Sequence, residues 1–151
     1  MKYLVFLGIF ILSISSCKKS EEQTQAEKDD QIINDYLNQN GLSATRHESG
    51  LYYIISNEGS GDHPDLNSTI TVSYKGYLTD GTVFDETTGN SSASFPLNGL
   101  IQGWKIGIPL LKNGGSGLFF IPSALGYGSQ AIGEIPANSV LIFEISLIDF
   151  Y

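Results

Sequence analysis

The sequence predicts an α+β fold in which a curved antiparallel β-sheet wraps around one short α-helix, preceded by a short N-terminal helix. Two alternating segments support this prediction: residues 71–86, which turn back at Asp80-Gly81, and residues 139–149. Apolar and polar side chains that alternate with a period of two indicate half-buried strands. A stretch of helical character follows Trp104, between these segments. Strands, one short helix and further strands are typical of an α+β domain.

The first residues have the character of a targeting segment. Residues 3–12 are almost continuously apolar after Lys2, and this run is too short for a membrane-spanning helix of ~20 residues. Ile14-Ser15-Ser16-Cys17 follows and resembles the cleavage site of a bacterial lipoprotein signal. We therefore expect residues 1–16 to be removed and Cys17 to be acylated, which would attach the chain to a lipid bilayer. The alternative is an ordinary secretory signal with an incidental cysteine.

The residues after Cys17 are polar. Residues 17–30 contain too little apolar surface to fold alone and predict a flexible tether. Lys18 is not the aspartate associated with inner-membrane retention in enteric bacteria, so we expect a lipoprotein of the outer membrane that faces the periplasm. Ser20-Glu21-Glu22 resembles the acidic signals that send some lipoproteins to the cell surface, and a solvated linker explains the same acids.

A short amphipathic helix and its connector are expected over residues 31–45, with the helix itself over 29–40. Asp29 or Asp30 could cap its start, and Gly41 stands where a left-handed residue often ends a helix. Four apolar side chains are few for a dimer interface, so packing against the domain is favoured over pairing with a partner.

Residues 46–151 are expected to form one domain. Strands are predicted over residues 51–56, 71–86 as a hairpin, 94–97, 116–121 and 139–149. Asp80-Gly81 offers two residues that tolerate positive φ, a strong hairpin signal. The helix that begins at Trp104 contains Pro109, which removes a backbone donor and limits the regular helix to about two turns.

Composition excludes several function classes. The chain has 16 acidic and 8 basic residues, a net charge of −8, and no basic stripe, which argues against nucleic-acid binding. The single cysteine excludes an intramolecular disulfide and a cysteine-based zinc site. His47 and His63 lie in polar surroundings, and common hydrolase and metalloprotease motifs are missing.

Apolar and aromatic residues instead gather at loop edges and strand ends. Packing in the core explains any one of them, but Trp104 follows Gly103 at a helix start, and Tyr127 stands between two glycines in a loop. The indole N–H of a buried tryptophan needs a partner, and a loop tyrosine has little core to join. These two residues therefore favour a binding site.

The motifs VSYKGYLTDGTVFD, GLIQGW, GYG and IPANSVLIFEISLID occur in this order and resemble those of the FKBP-type peptidyl-prolyl cis-trans isomerases. The resemblance covers residues 46–151 and implies an apolar pocket that binds proline, with no cofactor and no metal. It implies that Trp104 is the floor, that Asp85 stands at the rim, and that the Tyr127 hydroxyl and the Ile135 backbone N–H hold substrate carbonyls. The implied walls and floor are Tyr74, Phe84, Leu100, Ile101, Trp104, Tyr127, Ile135 and Phe143.

The resemblance also has departures. A second aromatic wall is expected shortly before Phe95, where Ala93 stands; Ala131 lies near a position that often holds histidine; and Glu134 replaces a residue that is commonly apolar. These departures leave macrolide affinity open. The expected activity is isomerisation of X–Pro bonds in unfolded or partly folded exported proteins, which would assist their folding. The alternative is a non-catalytic, membrane-anchored binding or chaperone module with the same fold.

Overall fold

The computed structural model describes residues 23–151, so the predicted signal segment and Cys17 lie outside the described residues. Two helices and seven strands follow one another along this part of the chain. They are α1 (Gln25–Gln39), β1 (Thr45–Arg46), β2 (Tyr52–Asn57), β3 (Thr69–Tyr77), β4 (Val83–Glu86), β5 (Ala93–Pro96), α2 (Gln102–Gly107), β6 (Ser116–Ile121) and β7 (Leu141–Phe150). The predicted α+β fold is confirmed, and strand boundaries differ from the prediction by up to two residues.

All seven strands form one antiparallel sheet. Its order is β1-β2-β6-β7-β3-β4, and β5 also pairs with β3. The two central strands, β6 and β7, supply fully buried side chains to both faces of the sheet, since Phe119 and Phe143 belong to one core cluster while Phe120 and Ile142 belong to another. The sheet therefore has a helix on each face.

Helix α2 lies on the inner face, very close to β6. A Cβ atom at Gly103 would come within 2.5 Å of Ile121, and one at Gly107 within 2.8 Å of Phe119. Because these glycines are four residues apart, they lie on the same side of the helix. The α-helical part ends at Gly107, and Pro109 lies in a 3₁₀ turn, as its missing N–H predicts.

Helix α1 packs against the domain, as the sequence predicted, and it lies on the outer face of the sheet. Ile33 and Leu37 are buried there against Phe120 and Ile142. The helix begins at Gln25, however, so the prediction of a tether up to residue 30 and of a helix start at residue 29 was wrong.

The cause is a cap that the prediction missed. The Thr24 hydroxyl accepts a hydrogen bond from the Glu27 backbone N–H, and the Glu27 carboxylate accepts one from the Thr24 N–H. This reciprocal pair is a capping box and it stabilises the first turn. Asp29 and Asp30 therefore lie inside the helix and do not cap it. The end is as predicted, with Gly41 at φ 63°.

The hairpin between β3 and β4 also differs in detail from the prediction. Of the two turn residues, only Gly81 has a positive φ, at 88°. The Leu78 N–H donates to Thr82 O, and the Gly81 N–H donates to Leu78 O. A three-residue loop of this kind combines a type I turn with a glycine bulge.

Within residues 23–151, no helix has the length and apolar character to cross a membrane.

Candidate functional site

A pocket opens between the start of α2, the β3–β4 hairpin and the loop that follows β6. Its volume is about 140 Å³, well above the ~10–15 Å³ that a cavity needs to hold one water. Eight side chains line it: Tyr74, Asp85, Phe95, Leu100, Ile101, Trp104, Tyr127 and Phe143. Seven of these side chains are apolar or aromatic, and Asp85 is the remaining one, so the pocket suits a small apolar ring.

Trp104 is the centre of this arrangement and is only 5% exposed. Its indole meets three neighbouring rings nearly at right angles, with centroid distances of 5.2 Å to Tyr74, 5.3 Å to Phe143 and 6.4 Å to Phe95. Edge-to-face pairs of this kind fix ring orientations and contribute about 0.5–1.5 kcal/mol each beyond burial. The Trp104 Nε1–H is buried and has no acceptor among the described residues.

Gly76 makes room for one wall of the pocket. A Cβ atom at this position would lie 2.6 Å from Phe143 Cε1 and 2.6 Å from Phe84 Cε2. The rings of Phe84 and Phe143 therefore lie over Gly76 of β3, where no side chain is in the way. They pack edge to face with centroids 5.5 Å apart. Phe143 lines the pocket from this position, while Phe84 supports it from behind and does not line the cavity.

The polar rim is a hydrogen-bonded pair. The Tyr74 hydroxyl donates to Asp85 Oδ2 over 2.6 Å, a short distance typical of a charge-assisted bond. Burial raises the pKa of Tyr74 well above its usual range, and the bond to Asp85 raises the pKa further. The phenol therefore keeps its proton near neutral pH and remains a donor. This bond orients the Tyr74 ring above Trp104.

Tyr127 closes the other side from a loop that leaves β6. It stands between Gly126 and Gly128, and the N–H groups of both glycines donate to Ser123 O, over 3.0 and 2.8 Å. Its side chain is 37% exposed and reaches the pocket. The Tyr127 side chain is thus in contact with both the cavity and the solvent.

Ile135 belongs to the core cluster in this structure, and its substrate-binding role stays a prediction. It is 5% exposed and does not line the cavity. Its backbone N–H, expected to hold a substrate carbonyl, donates to Ile132 O over 2.9 Å. Ile132 and Ile135 form a small bridge in the loop before β7, and this bridge uses the donor.

Seven of the nine predicted site residues therefore line the cavity, and Phe84 and Ile135 do not. The prediction missed Phe95, whose ring stands 6.2 Å from that of Tyr74. Ala93 does not line the cavity, and Phe95, two residues later on β5, does. Period-two alternation along β5 could have identified it, since Ala93 and Phe95 share a face of the strand.

Potential metal ligands do not gather at this pocket. Across residues 23–151, no group of three or more His, Cys, Asp and Glu side chains is placed to bind a metal ion. Asp85 is the one charged side chain that lines the pocket. What the site offers is an aromatic base, an oriented phenol and a carboxyl group at the rim.

Comparisons with known proteins agree with this geometry. A family model described as FKBP-type peptidyl-prolyl cis-trans isomerase matches residues 61–148. The chain is 38% identical over 132 residues to a probable FKBP-type peptidyl-prolyl cis-trans isomerase, FkpA, of Neisseria meningitidis serogroup B, covering 86% of this chain and 48% of that protein. It is 39% identical over 141 residues to FkpA of Aeromonas hydrophila, covering 86% and 52%. The chain thus spans about half the length of these curated relatives.

Solved structures give the same result. The crystal structure of FkpA from Escherichia coli superposes with a TM-score of 0.74 at 34% identity, covering 83% of this chain and 60% of that one. A peptidyl-prolyl cis-trans isomerase from Pseudomonas syringae pv. tomato superposes with a TM-score of 0.70 at 26% identity, covering 85% and 98%.

Proposed function

We propose, from the premise that this chain belongs to the FKBP-type peptidyl-prolyl cis-trans isomerase family, that its aromatic pocket binds proline and catalyses rotation about X–Pro bonds. The observation that carries the proposal is the cavity itself. Trp104 forms its base, four further aromatic rings line it, and one of these, Tyr74, is hydrogen-bonded to Asp85 at the rim. The substrates would be unfolded or partly folded polypeptides that contain proline.

The chemistry of the reaction suits this set of side chains. Rotation about an X–Pro bond is slow, over tens of seconds, because amide resonance opposes it with a barrier of ~18–20 kcal/mol. No covalent bond is broken, so the protein needs no nucleophile. It needs only to bind the twisted amide more tightly than the planar one.

The pocket favours the twisted state in two ways. The planar amide is charge-separated by resonance and loses water when the aromatic rings enclose it, whereas the twisted amide is less polar. The oriented Tyr74–Asp85 pair and the Tyr127 hydroxyl would in addition fix the peptide as the bond rotates. An acceleration of three to five decades requires about 4–7 kcal/mol, a range that several such contacts can supply.

Proline-limited refolding of a model protein tests the activity. We expect wild type to accelerate the slow phase in proportion to its concentration, and Trp104→Leu to abolish the acceleration while the protein stays folded. A slow phase that wild type leaves unchanged would refute the proposal and would support a binding module that does not catalyse.

We further propose that Cys17 carries acyl chains and holds the protein at the outer membrane, facing the periplasm. The support is the sequence alone: the apolar run of residues 3–12 and the Ile14-Ser15-Ser16-Cys17 site. Incorporation of labelled palmitate that is lost in Cys17→Ala would bear this out. Protease treatment of intact cells, with a periplasmic protein as control, would distinguish the periplasmic face from the cell surface.

A further inference from the structure

Asp29 in α1 is an unusual residue, because its side chain is charged and only 1% exposed. Its carboxylate accepts three hydrogen bonds: from the Ser123 N–H at 2.8 Å, from the Ser123 hydroxyl at 2.6 Å and from Gln25 Nε2 at 2.7 Å. Burying a carboxylate is costly unless hydrogen bonds replace its water. Two of the three come from Ser123, so α1 holds this one residue at two points.

Ser123 in turn holds the loop that carries Tyr127. It is 2% exposed and starts the 3₁₀ turn that follows β6. Its carbonyl accepts the N–H groups of Gly126 and Gly128, over 3.0 and 2.8 Å. These are the residues on either side of Tyr127. Ser123 thus uses its N–H and hydroxyl toward Asp29 and its carbonyl toward the Tyr127 loop.

Contacts other than those of Asp29 attach helix α1 to the sheet. Ile33 and Leu37 are buried against the outer face of the sheet. Asp30, the next residue, accepts hydrogen bonds from the Tyr52 hydroxyl at 2.7 Å and from Arg46 Nε at 3.0 Å. Apolar packing and this second polar contact already dock α1, and neither contact reaches the pocket loop.

We propose that Asp29 is a positioning residue for Tyr127, acting through Ser123. This inference rests on the proposed function, because it assigns Asp29 to the same site. The family model matches residues 61–148, so Asp29 lies outside the matched region. On this proposal, helix α1 covers one face of the sheet and also positions part of the proline-binding site.

The test compares Asp29→Ala with Asp30→Ala in the whole chain. The two variants change adjacent residues in the same way, but only the first loses contact with Ser123. We expect Asp29→Ala to accelerate hydrogen exchange of the Gly126 and Gly128 amides by on the order of tenfold relative to β6 amides. We expect kcat for a proline peptide to fall by about threefold to tenfold, with KM little changed. Asp30→Ala should leave both quantities near wild type.

A double-mutant cycle with Tyr127→Phe separates positioning from general loosening. If Asp29 acts through Tyr127, Asp29→Ala costs less activity in the Tyr127→Phe background than in wild type. Additive losses, or unchanged exchange at Gly126 and Gly128, would overturn the proposal. If Asp29→Ala does not fold, Ser123→Ala replaces it, since this variant loses the 2.6 Å hydroxyl bond and keeps the backbone bond.

The two proposals fail in different ways. A wild-type chain without activity refutes the proposed isomerase function, and the exchange measurement then still decides whether Asp29 holds the Tyr127 loop. Normal activity in wild type together with equal losses in Asp29→Ala and Asp30→Ala refutes the positioning role and leaves the isomerase function in place.

Discussion

Gly76→Ala is expected to distort the pocket without replacing any side chain that lines it. The new Cβ atom would lie 2.6 Å from a carbon of Phe143 and 2.6 Å from a carbon of Phe84. Because non-bonded carbons prefer about 3.5–4.0 Å, each ring must retreat by roughly 1 Å. The backbone itself is not strained by alanine, since the φ of Gly76 is outside the left-handed region. The effect is therefore purely one of packing.

Overpacking of this kind costs about 1–3 kcal/mol of unfolding free energy. A 1 Å displacement in a site can cost up to about a hundredfold in rate, so we expect kcat/KM to fall by about 10- to 100-fold. Urea denaturation measures the first quantity, and a proline-peptide isomerisation assay measures the second.

Gly99→Ala is the matched control, because the nearest atom to its Cβ would be Pro96 Cγ at 4.0 Å. We expect this variant to retain wild-type activity. Adding Phe84→Leu to Gly76→Ala should recover part of the loss, since a smaller side chain relieves one of the two contacts. Full activity and stability in Gly76→Ala would refute the reasoning, as would an equal loss in Gly99→Ala.

Three further predictions concern single side chains. Phe95→Ala removes two edge-to-face ring pairs, so we expect unfolding free energy to fall by about 1–3 kcal/mol and KM for a proline peptide to rise, in urea denaturation and steady-state assays. Tyr74→Phe should lower kcat/KM by about fivefold, the equivalent of ~1 kcal/mol. In wild type, the activity should show no titration of the Tyr74 phenol between about pH 5 and 9, because its pKa is raised. Tyr52→Phe removes the hydrogen bond that contributes most to lowering the pKa of Asp30, so it should destabilise the protein at neutral pH. The loss should be at most about 1 kcal/mol, because the Asp30 side chain is 40% exposed and solvent screens its charge. Because the pKa of Asp30 is lowered in the folded state, its carboxylate stabilises the fold at pH values above its unfolded-state pKa. This stabilisation is lost as the pH falls through the folded-state pKa. The difference in stability between Tyr52→Phe and wild type should therefore shrink in acid denaturation.

The alternating strands were predictable because burial on one face of a sheet imposes a period of two on the sequence. The early end of α2 was predictable because Pro109 lacks the backbone N–H that a longer helix would need. Seven pocket residues followed from the family resemblance, and their convergence at one cavity is what the structure adds.

The errors have physical causes as well. The start of α1 was missed because residues 25–30 are mostly polar, and the decisive features were the Thr24–Glu27 cap and a buried Asp29. A buried carboxylate can be recognised only when its partner is known, and Ser123 lies 94 residues away in the sequence. The hydrogen bond from the Ile135 N–H to Ile132 O was not foreseen for a similar reason, because the sequence does not show this partner.

The central claim is that the pocket around Trp104 rotates X–Pro bonds, and NMR exchange spectroscopy on a short proline peptide tests it most directly. We predict that a small fraction of wild-type protein brings cis–trans exchange from the uncatalysed range of tens of seconds to below a second, and that folded Trp104→Leu leaves it uncatalysed. Exchange that stays uncatalysed with wild type, or that Trp104→Leu accelerates equally well, would contradict the claim.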